Sequence, residues 1–372
     1  VIVDLFAGPG GWDRAAADLG LDVVGIEHDR WACATRAAAG LTTIRADVAT
    51  YPAPTDLDGL IASPPCQAFS AAGDRKGADD VGRLQDFIDI WAKSGWRDPG
   101  DGWADPRTPL VLEPLRYISA GDPSWVCMEQ VPPVLILWEQ IAAALADKGW
   151  STWAGTLNAA DYGVPQTRKR AILLAHRGQL VEPPVPTHAQ HPQQSLFGGE
   201  VEPWVTMADA LGWPVGLEVN RARGAGITER HGPRPGTPSD RPAPTMNGKA
   251  RCWTLRPGRQ ANVAVKTADN PAPTICVGHD VASWVWERPA TTIVGSFSPD
   301  TVAAPGYRTR GGLSRQNAPG SVKITLAEAL VLQGFPPDYP VAGPKTAQFQ
   351  QTGNAIPPLL ARRVLEQVVG DA

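Results

Sequence analysis

Apolar positions along the first sixty residues fall into short runs separated by stretches of helical spacing. Residues 1–4, 23–26 and 60–62 read as strands, with 13–19 and 31–39 as the helices between them, which is the rhythm of βαβ units. A further apolar strand at 125–128, a helical stretch at 134–148 and strands at 152–157 and 171–175 continue the pattern. The first half therefore predicts an α/β fold with a doubly wound, mostly parallel sheet. From about residue 178 the texture changes to Pro, Gly, Arg and His with only short β-prone pieces, which predicts a smaller, irregular, β-containing domain.

Weaker patterns refine this outline. Three related segments, Arg241-Pro-Ala-Pro-Thr-Met246, Asn270-Pro-Ala-Pro-Thr-Ile275 and Arg288-Pro-Ala-Thr-Thr-Ile293, each predict a turn feeding a short strand. The polar stretch 75–116, with Trp91, Trp96, Trp103 and a Gly-Asp-Gly turn, reads as a mobile loop carrying an insertion, its tryptophans packed locally. Helices follow at 326–332 and 359–369. The predicted division is a first domain over 1–177, a second over 178–342, and a segment 343–372 that returns to the first.

Composition narrows the class. With 372 residues and 43% hydrophobic content the chain can bury an ordinary core. It has no run of about 18 apolar residues to span a bilayer, and Val1-Ile2-Val3-Asp4 lacks a charged start and cleavage site. The expectation is a cytoplasmic protein with no membrane association. Cys33, Cys66, Cys127, Cys252 and Cys276 show neither Cys-x-x-Cys nor metal-ligand spacing, so no disulfide framework and no metal site is expected. The net charge of -4 argues against indiscriminate coating of nucleic acid. Yet residues 221–266 hold ten basic and two acidic side chains, a local excess able to neutralise phosphates.

Candidate chemistry sits at predicted strand ends. Asp4-Leu-Phe-Ala-Gly-Pro-Gly-Gly11 follows the first strand, where an open α/β sheet binds a nucleotide-like ligand, but lacks the full glycine spacing of a dinucleotide enzyme. Glu27 ends the second strand and Asp47 follows the next; two acids at successive strand ends suit a nucleoside. In Ser63-Pro-Pro-Cys-Gln67 two prolines stiffen the backbone ahead of Cys66, fixing a thiol for attack. A free thiol ionises only slightly at neutral pH, so a nucleophile there needs neighbouring help. Glu129 directly follows the strand at 125–128, where a partly desolvated carboxyl can exchange a proton or make paired hydrogen bonds. Arg168 and Arg170, two apart, share a face if extended.

Taken in order, the glycine loop, Glu27, Asp47, Pro-Pro-Cys-Gln, Glu129, Gln166-x-Arg168-x-Arg170, a variable basic region, Leu332-Gln-Gly-Phe-Pro-Pro337 and Gln351-Thr-Gly-Asn-Ala-Ile356 resemble the DNA (cytosine-5) methyltransferase family over nearly the whole chain. The resemblance implies a Rossmann-like methyltransferase sheet, a target-recognition domain, and double-stranded DNA in the cleft between them. S-adenosyl-L-methionine is the implied cofactor and S-adenosyl-L-homocysteine its product. Phe6 would stack on the adenine, Gly8, Pro9, Gly10 and Gly11 would hold the methionine part, Glu27 the ribose and Asp47 the adenine amino group. Ala7, His28, Val48, Pro65 and Asn354 would complete the pocket.

By the same resemblance the Cys66 thiolate adds to C6 of a cytosine flipped from the duplex, making C5 nucleophilic. Glu129 would bind N3 and the amino group, offsetting growing charge. Arg170 would contact O2, and Arg168 the loop and a nearby phosphate. Gln67, Ser70, Arg75 and Lys76 belong to the stretch that closes over DNA in this family. Two positions depart from its pattern: Gln130 stands where Asn often follows the catalytic Glu, and His28 where an apolar or aromatic residue is frequent. The first bears on how the Cys66 loop is braced, the second on contacts to the adenine edge. The expected enzyme is monomeric and bacterial or phage-borne, with a cognate restriction endonuclease acting separately.

Other readings explain less. An RNA cytosine-5 methyltransferase shares the motif order, but its recognition region is typically compact, whereas 178–342 is long, partly basic and full of turns. A variant alkyl donor would alter the product while keeping Cys66. A nicotinamide oxidoreductase gives Pro-Pro-Cys-Gln no role, and a catalytically silent DNA binder leaves Cys66, Glu129, Arg168 and Arg170 unexplained.

Overall fold

The computed structural model describes residues 1–65, 67–69, 79–192, 201–212, 217–220, 237–246, 254–257 and 322–370. The strands of its first half are β1 (Ile2–Leu5), β2 (Val23–Glu27), β3 (Thr43–Arg45), β4 (Gly59–Ala62), β5 (Trp125–Gln130), β6 (Ser151–Asn158), β7 (Gln166–Thr167) and β8 (Lys169–His176). All but β7 form one sheet in the order β3-β2-β1-β4-β5-β8-β6. β1 to β5 run parallel, while β8 lies antiparallel between β5 and β6. β1 is flanked by β2 on one side and β4 on the other, so the order in which strands are added reverses there, the point at which an open α/β sheet takes a ligand beyond its strand ends.

Successive side chains of a strand face opposite ways, and the apolar runs fill both layers. On one face Leu60, Val126 and Met128 pack with Leu84 and Ile88 of α3 (Val81–Ser94) and Leu137 and Trp138 of α5 (Leu135–Ala146). On the other, Ile61, Cys127 and Leu174 pack with Trp12 and Ala16 of α1 (Gly11–Asp18) and Leu360 and Val364 of α9 (Pro358–Val369). α2 (Arg30–Ala38) joins β2 to β3, and Asp29 caps it by accepting from the amides of Trp31 and Ala32.

Residues 79–116, the described part of the stretch 75–116, correct the expectation of a loop. Leu84, Ile88 and Trp91, spaced by four and three, line the buried face of α3, and Glu113–Gly121 forms α4. Between the helices, Trp103 lies under the Arg83 guanidinium at 3.8 Å, and Arg83 also donates to the carbonyls of Pro99, Asp101 and Gly102. A second difference is α8 (Lys345–Asn354), a helix the polar Gln-Gln-Thr-Gly-Asn text did not signal.

Beyond β8 the described fragments are α6 (Met207–Leu211), α7 (Leu326–Leu332) and a four-stranded antiparallel sheet in the order Thr237–Pro238, Leu217–Asn220, Thr254–Pro257, Val322–Lys323. The first copy of the repeat supplies Ala243–Pro244, paired with β7. The copies at 270–275 and 288–293, and most of the basic residues of 221–266, lie outside the described residues. Met207, Ala243, Met246, Leu332 and Phe349 make a small separate core.

Candidate active site

The glycine loop leaves β1 through an unusual backbone. Phe6 has φ 60°, a left-handed value that costs a residue with a Cβ about 1 kcal/mol and concentrates at functional sites. Gly8 and Gly10 follow at φ 54° and 100°. The three glycines differ in purpose. A Cβ at Gly11 would stand 2.3 Å from the Ile356 carbonyl, so packing demands that glycine, whereas at Gly10 the near atom is the tip of Leu41 at 2.3 Å and the left-handed φ is the stronger demand. At Gly8 the nearest atom is the Phe6 carbonyl at 3.9 Å. Its outer side is free.

Glu27 is already fixed by the backbone around it. One carboxylate oxygen accepts from Gly8 N at 2.9 Å, the other from His28 N and Asp29 N at 2.8 and 2.7 Å. His28 itself is exposed, with Nδ1 3.4 Å from Glu27. Asp47 is exposed at the start of the turn after β3, and Val48 is buried behind it.

Under the loop lies a charged cluster not anticipated from sequence. Arg36 is fully buried, bonded to both Asp13 oxygens at 2.6 and 2.7 Å, to Thr43 Oγ1 at 2.8 Å and to the Thr42 carbonyl at 3.1 Å. Its guanidinium fills the space a side chain at Gly25 would need. Asp4 is buried beside it, and neither carboxylate oxygen has a hydrogen-bond partner among the described residues. Burial, reinforced by the charges of Asp13 and Glu27 against the opposing pull of Arg36, pushes the Asp4 carboxyl well above the usual range. The one sequence signal was an acid inside an apolar strand.

The stem leading to Cys66 is held from two sides. Trp12 Nε1 donates to Ser63 Oγ at 2.9 Å, and Gln130 Nε2 to the Pro64 carbonyl at 2.8 Å. Gln130 thus supplies the brace that its departure from the family pattern put in question. Pro65 is half-buried, as is Gln67, whose Oε1 is without a partner among the described residues. Cys66, Ser70, Arg75 and Lys76 lie outside the described residues. Of the other cysteines, Cys127 is sealed in the sheet and burial pushes its thiol well up, which makes it inert.

Glu129 and Arg170 meet at 2.7 Å where β5 and β8 lie side by side, and both are buried. Arg168 has a different neighbourhood from the expected one. Only 1% exposed, its guanidinium donates to the carbonyls of Met246 at 3.2 Å, Gly353 at 2.8 Å and Asn354 at 3.3 Å. It pins backbone and has no surface left for a phosphate. Asn354, exposed at the end of α8, is held through that carbonyl. Gln166, named in the motif but given no role, is buried: its amide donates to Gln333 Oε1 and the Leu332 carbonyl and accepts from the Met246 amide, and Gln333 in turn donates to the Ala355 carbonyl. Tyr339 donates to the Pro9 carbonyl at 2.5 Å, and burial pushes its hydroxyl up to about 12.

A switch point beside β1 in a seven-stranded sheet with an antiparallel last pair, shared with solved methyltransferases, defines the class: a Rossmann-like methyltransferase fold. The S. pombe Dnmt2 methyltransferase superposes with a TM-score of 0.54 at 14% identity, covering 98% of this chain and 96% of that one. The chain belongs to the C-5 cytosine-specific DNA methylase family, whose family model matches residues 1–92, 97–220 and 256–370. Among curated relatives, the Type II methyltransferase M.DdeI of Desulfomicrobium norvegicum is 24% identical, with 99% of this chain and 88% of that protein covered. The Type II methyltransferase M1.HphI of Haemophilus parahaemolyticus is 25% identical over 99% and 86%.

Proposed function

We propose that the protein transfers a methyl group from S-adenosylmethionine to C5 of a cytosine flipped out of a specific duplex DNA sequence, with Cys66 as nucleophile. The observation that carries this reading is the buried Glu129–Arg170 pair, 2.7 Å apart, beside the Pro64 stem that Gln130 holds. In sequence Cys66 follows that stem directly, after Pro65.

The residues fit the cofactor. The open side of Gly8 leaves room for a ligand against the backbone, and the buried Asp4 carboxyl beneath, without a partner among the described residues, offers an acid for its ammonium group. Phe6 would stack on the adenine, the backbone of Gly8, Pro9, Gly10 and Gly11 would hold the methionine part, Glu27 the ribose and Asp47 the adenine amino group, with Ala7, His28, Val48, Pro65 and Asn354 completing the pocket. The bound cofactor supplies an electrophilic methyl group on a sulfonium.

The Cys66 thiolate adds to C6, and electron density moves to C5. Glu129 receives the amino group and N3, and Arg170 both orients that carboxylate and reaches O2. C5 takes the methyl group, a base removes the C5 proton, and the electron pair left behind expels Cys66 as thiolate. Arg168 acts as a fastener of the surrounding backbone. Residues 178–342 read the target sequence, with Gln67, Ser70, Arg75 and Lys76 approaching DNA from the Cys66 side. The enzyme acts as a monomer in the cytoplasm, with any partner endonuclease separate.

The test is incubation with mixed-sequence duplex DNA and S-adenosylmethionine, followed by nucleoside mass analysis, with Cys66→Ala in parallel. The expected result is 5-methylcytosine that disappears in the variant. Another modified cytosine would change the donor, and product on RNA alone would overturn the DNA reading.

A further inference from the structure

Helix α4 turns two side chains onto one short piece of backbone. The turn after β3 begins at Asp47, whose carbonyl accepts from Thr50 N and Tyr51 N and whose side chain accepts from Ala49 N at 3.0 Å. It is tied to the cofactor side by Ala46 N donating to the Glu27 carbonyl at 3.1 Å. From α4, Arg116 donates to the Val48 carbonyl and, at 3.0 Å, to the Tyr51 carbonyl. The fully buried Tyr117 hydroxyl reaches the same two carbonyls at 3.1 and 3.4 Å. Glu113, one turn earlier, fixes Arg116 through a 2.8 Å bond to Nε, and the guanidinium lies 4.7 Å from the centre of the Tyr117 ring.

Such convergence exceeds what holding a surface turn requires. Asp47, Ala49 and Thr50 of this turn are exposed, where water can satisfy backbone carbonyls, yet those of the buried Val48 and half-buried Tyr51 receive a half-buried guanidinium and a buried phenol. The donors fix Val48 and Tyr51 from behind and leave the Asp47 side chain outward. The geometry points to Arg116 and Tyr117 as positioning residues for the cofactor's adenine, acting through the Asp47–Val48 backbone, with Glu113 holding Arg116 in place. The inference rests on the reading of Asp47 as partner of the adenine amino group.

Equilibrium binding of S-adenosylhomocysteine to the full chain, compared with binding of its N6,N6-dimethyl analogue, tests it. The analogue has no N–H to give Asp47, so the wild type should prefer the parent compound. Tyr117→Phe keeps the ring and removes only the hydroxyl. It should weaken S-adenosylhomocysteine binding about 3- to 10-fold, narrow the preference over the analogue, and leave kcat at saturating cofactor unchanged. Arg116→Met should do more, and Arg116→Lys should restore part of the loss. Equal weakening of both ligands, or wild-type affinity in Tyr117→Phe, would overturn the assignment even if Arg116→Met fails to fold. Asp47→Ala separates the premises: if it leaves affinity and preference intact, the adenine reading of Asp47 falls, and the role of α4 with it.

Discussion

Gln130 Nε2 donates to the carbonyl of Pro64 at 2.8 Å, a bond from the residue after Glu129 to the stem of Cys66. The strand end that carries Glu129 is therefore tied through this amide to the backbone two residues before Cys66. Gln130→Leu fills similar volume and leaves the Pro64 carbonyl unsatisfied. Losing such a bond in a buried place costs about 1–3 kcal/mol. Single-turnover methylation should slow about 10-fold or more, with cofactor affinity unchanged; a wild-type rate would remove Gln130 from the positioning of Cys66.

The Glu129–Arg170 pair should respond unevenly to its two halves. Arg170→Met leaves a buried carboxylate without its cation, a change that typically costs about 3–5 kcal/mol of stability. Pairing it with Glu129→Gln should recover much of the melting temperature and none of the activity. Thermal melts of both single variants and the double variant check this, and additive destabilisation would count against a direct pair.

Asp4 makes the fold sensitive to pH in the direction unusual for a carboxyl. Its folded-state pKa is raised, so its contribution to stability is fully present below the unfolded value of about 3.9 and is lost as pH rises through the folded value. Across that window the wild type should lose stability relative to Asp4→Asn. Parallel pH dependence of the two melting curves would show that Asp4 does not titrate as its surroundings dictate. If Asp4 meets the cofactor's ammonium, binding of S-adenosylhomocysteine should release a proton, seen as a heat that varies with buffer ionisation enthalpy.

Gly8 and Gly11 should separate binding from folding. Gly11→Ala drives a Cβ to 2.3 Å from the Ile356 carbonyl and should destabilise the protein strongly. Gly8→Ala meets only open space, at a left-handed φ that costs about 1 kcal/mol, and should mainly weaken cofactor binding. Melting temperature and S-adenosylhomocysteine affinity measured on both variants decide it; similar profiles would mean that Gly8 does not face the ligand.

The layered sheet was legible because its apolar runs are short and punctuated: residues 60–62 and 125–128 can hardly be anything but buried strands. Helix α3 was equally periodic, with Leu84, Ile88 and Trp91 at helical spacing, but polar neighbours and a Gly-Asp-Gly turn masked it. Helix α8 offered no stripe, since its buried residues include Gln351, Thr352 and Gly353. Single strand-end acids such as Glu27 stand out in sequence. Arg36 and Asp13 do not, because their meaning lies in a pairing across 23 positions that only the fold creates. Arg168 shows the opposite failure: a conspicuous cation in a charged run, Thr-Arg-Lys-Arg, whose guanidinium the fold turns inward.

That inward turn also sets an order of events during synthesis. The carbonyls that receive Arg168 come from residues 246, 353 and 354, the phenol that holds Pro9 comes from residue 339, and the backbone against Gly11 comes from residue 356. Every strand of the seven-stranded sheet lies before residue 177, but the Phe6–Gly11 loop remains without these supports until residues 339–356 have left the ribosome. The loop proposed to hold the methyl donor is therefore completed long after the strand it leaves, and a chain cut before residue 339 lacks both the supports of that loop and the helix α9 that covers one face of the sheet.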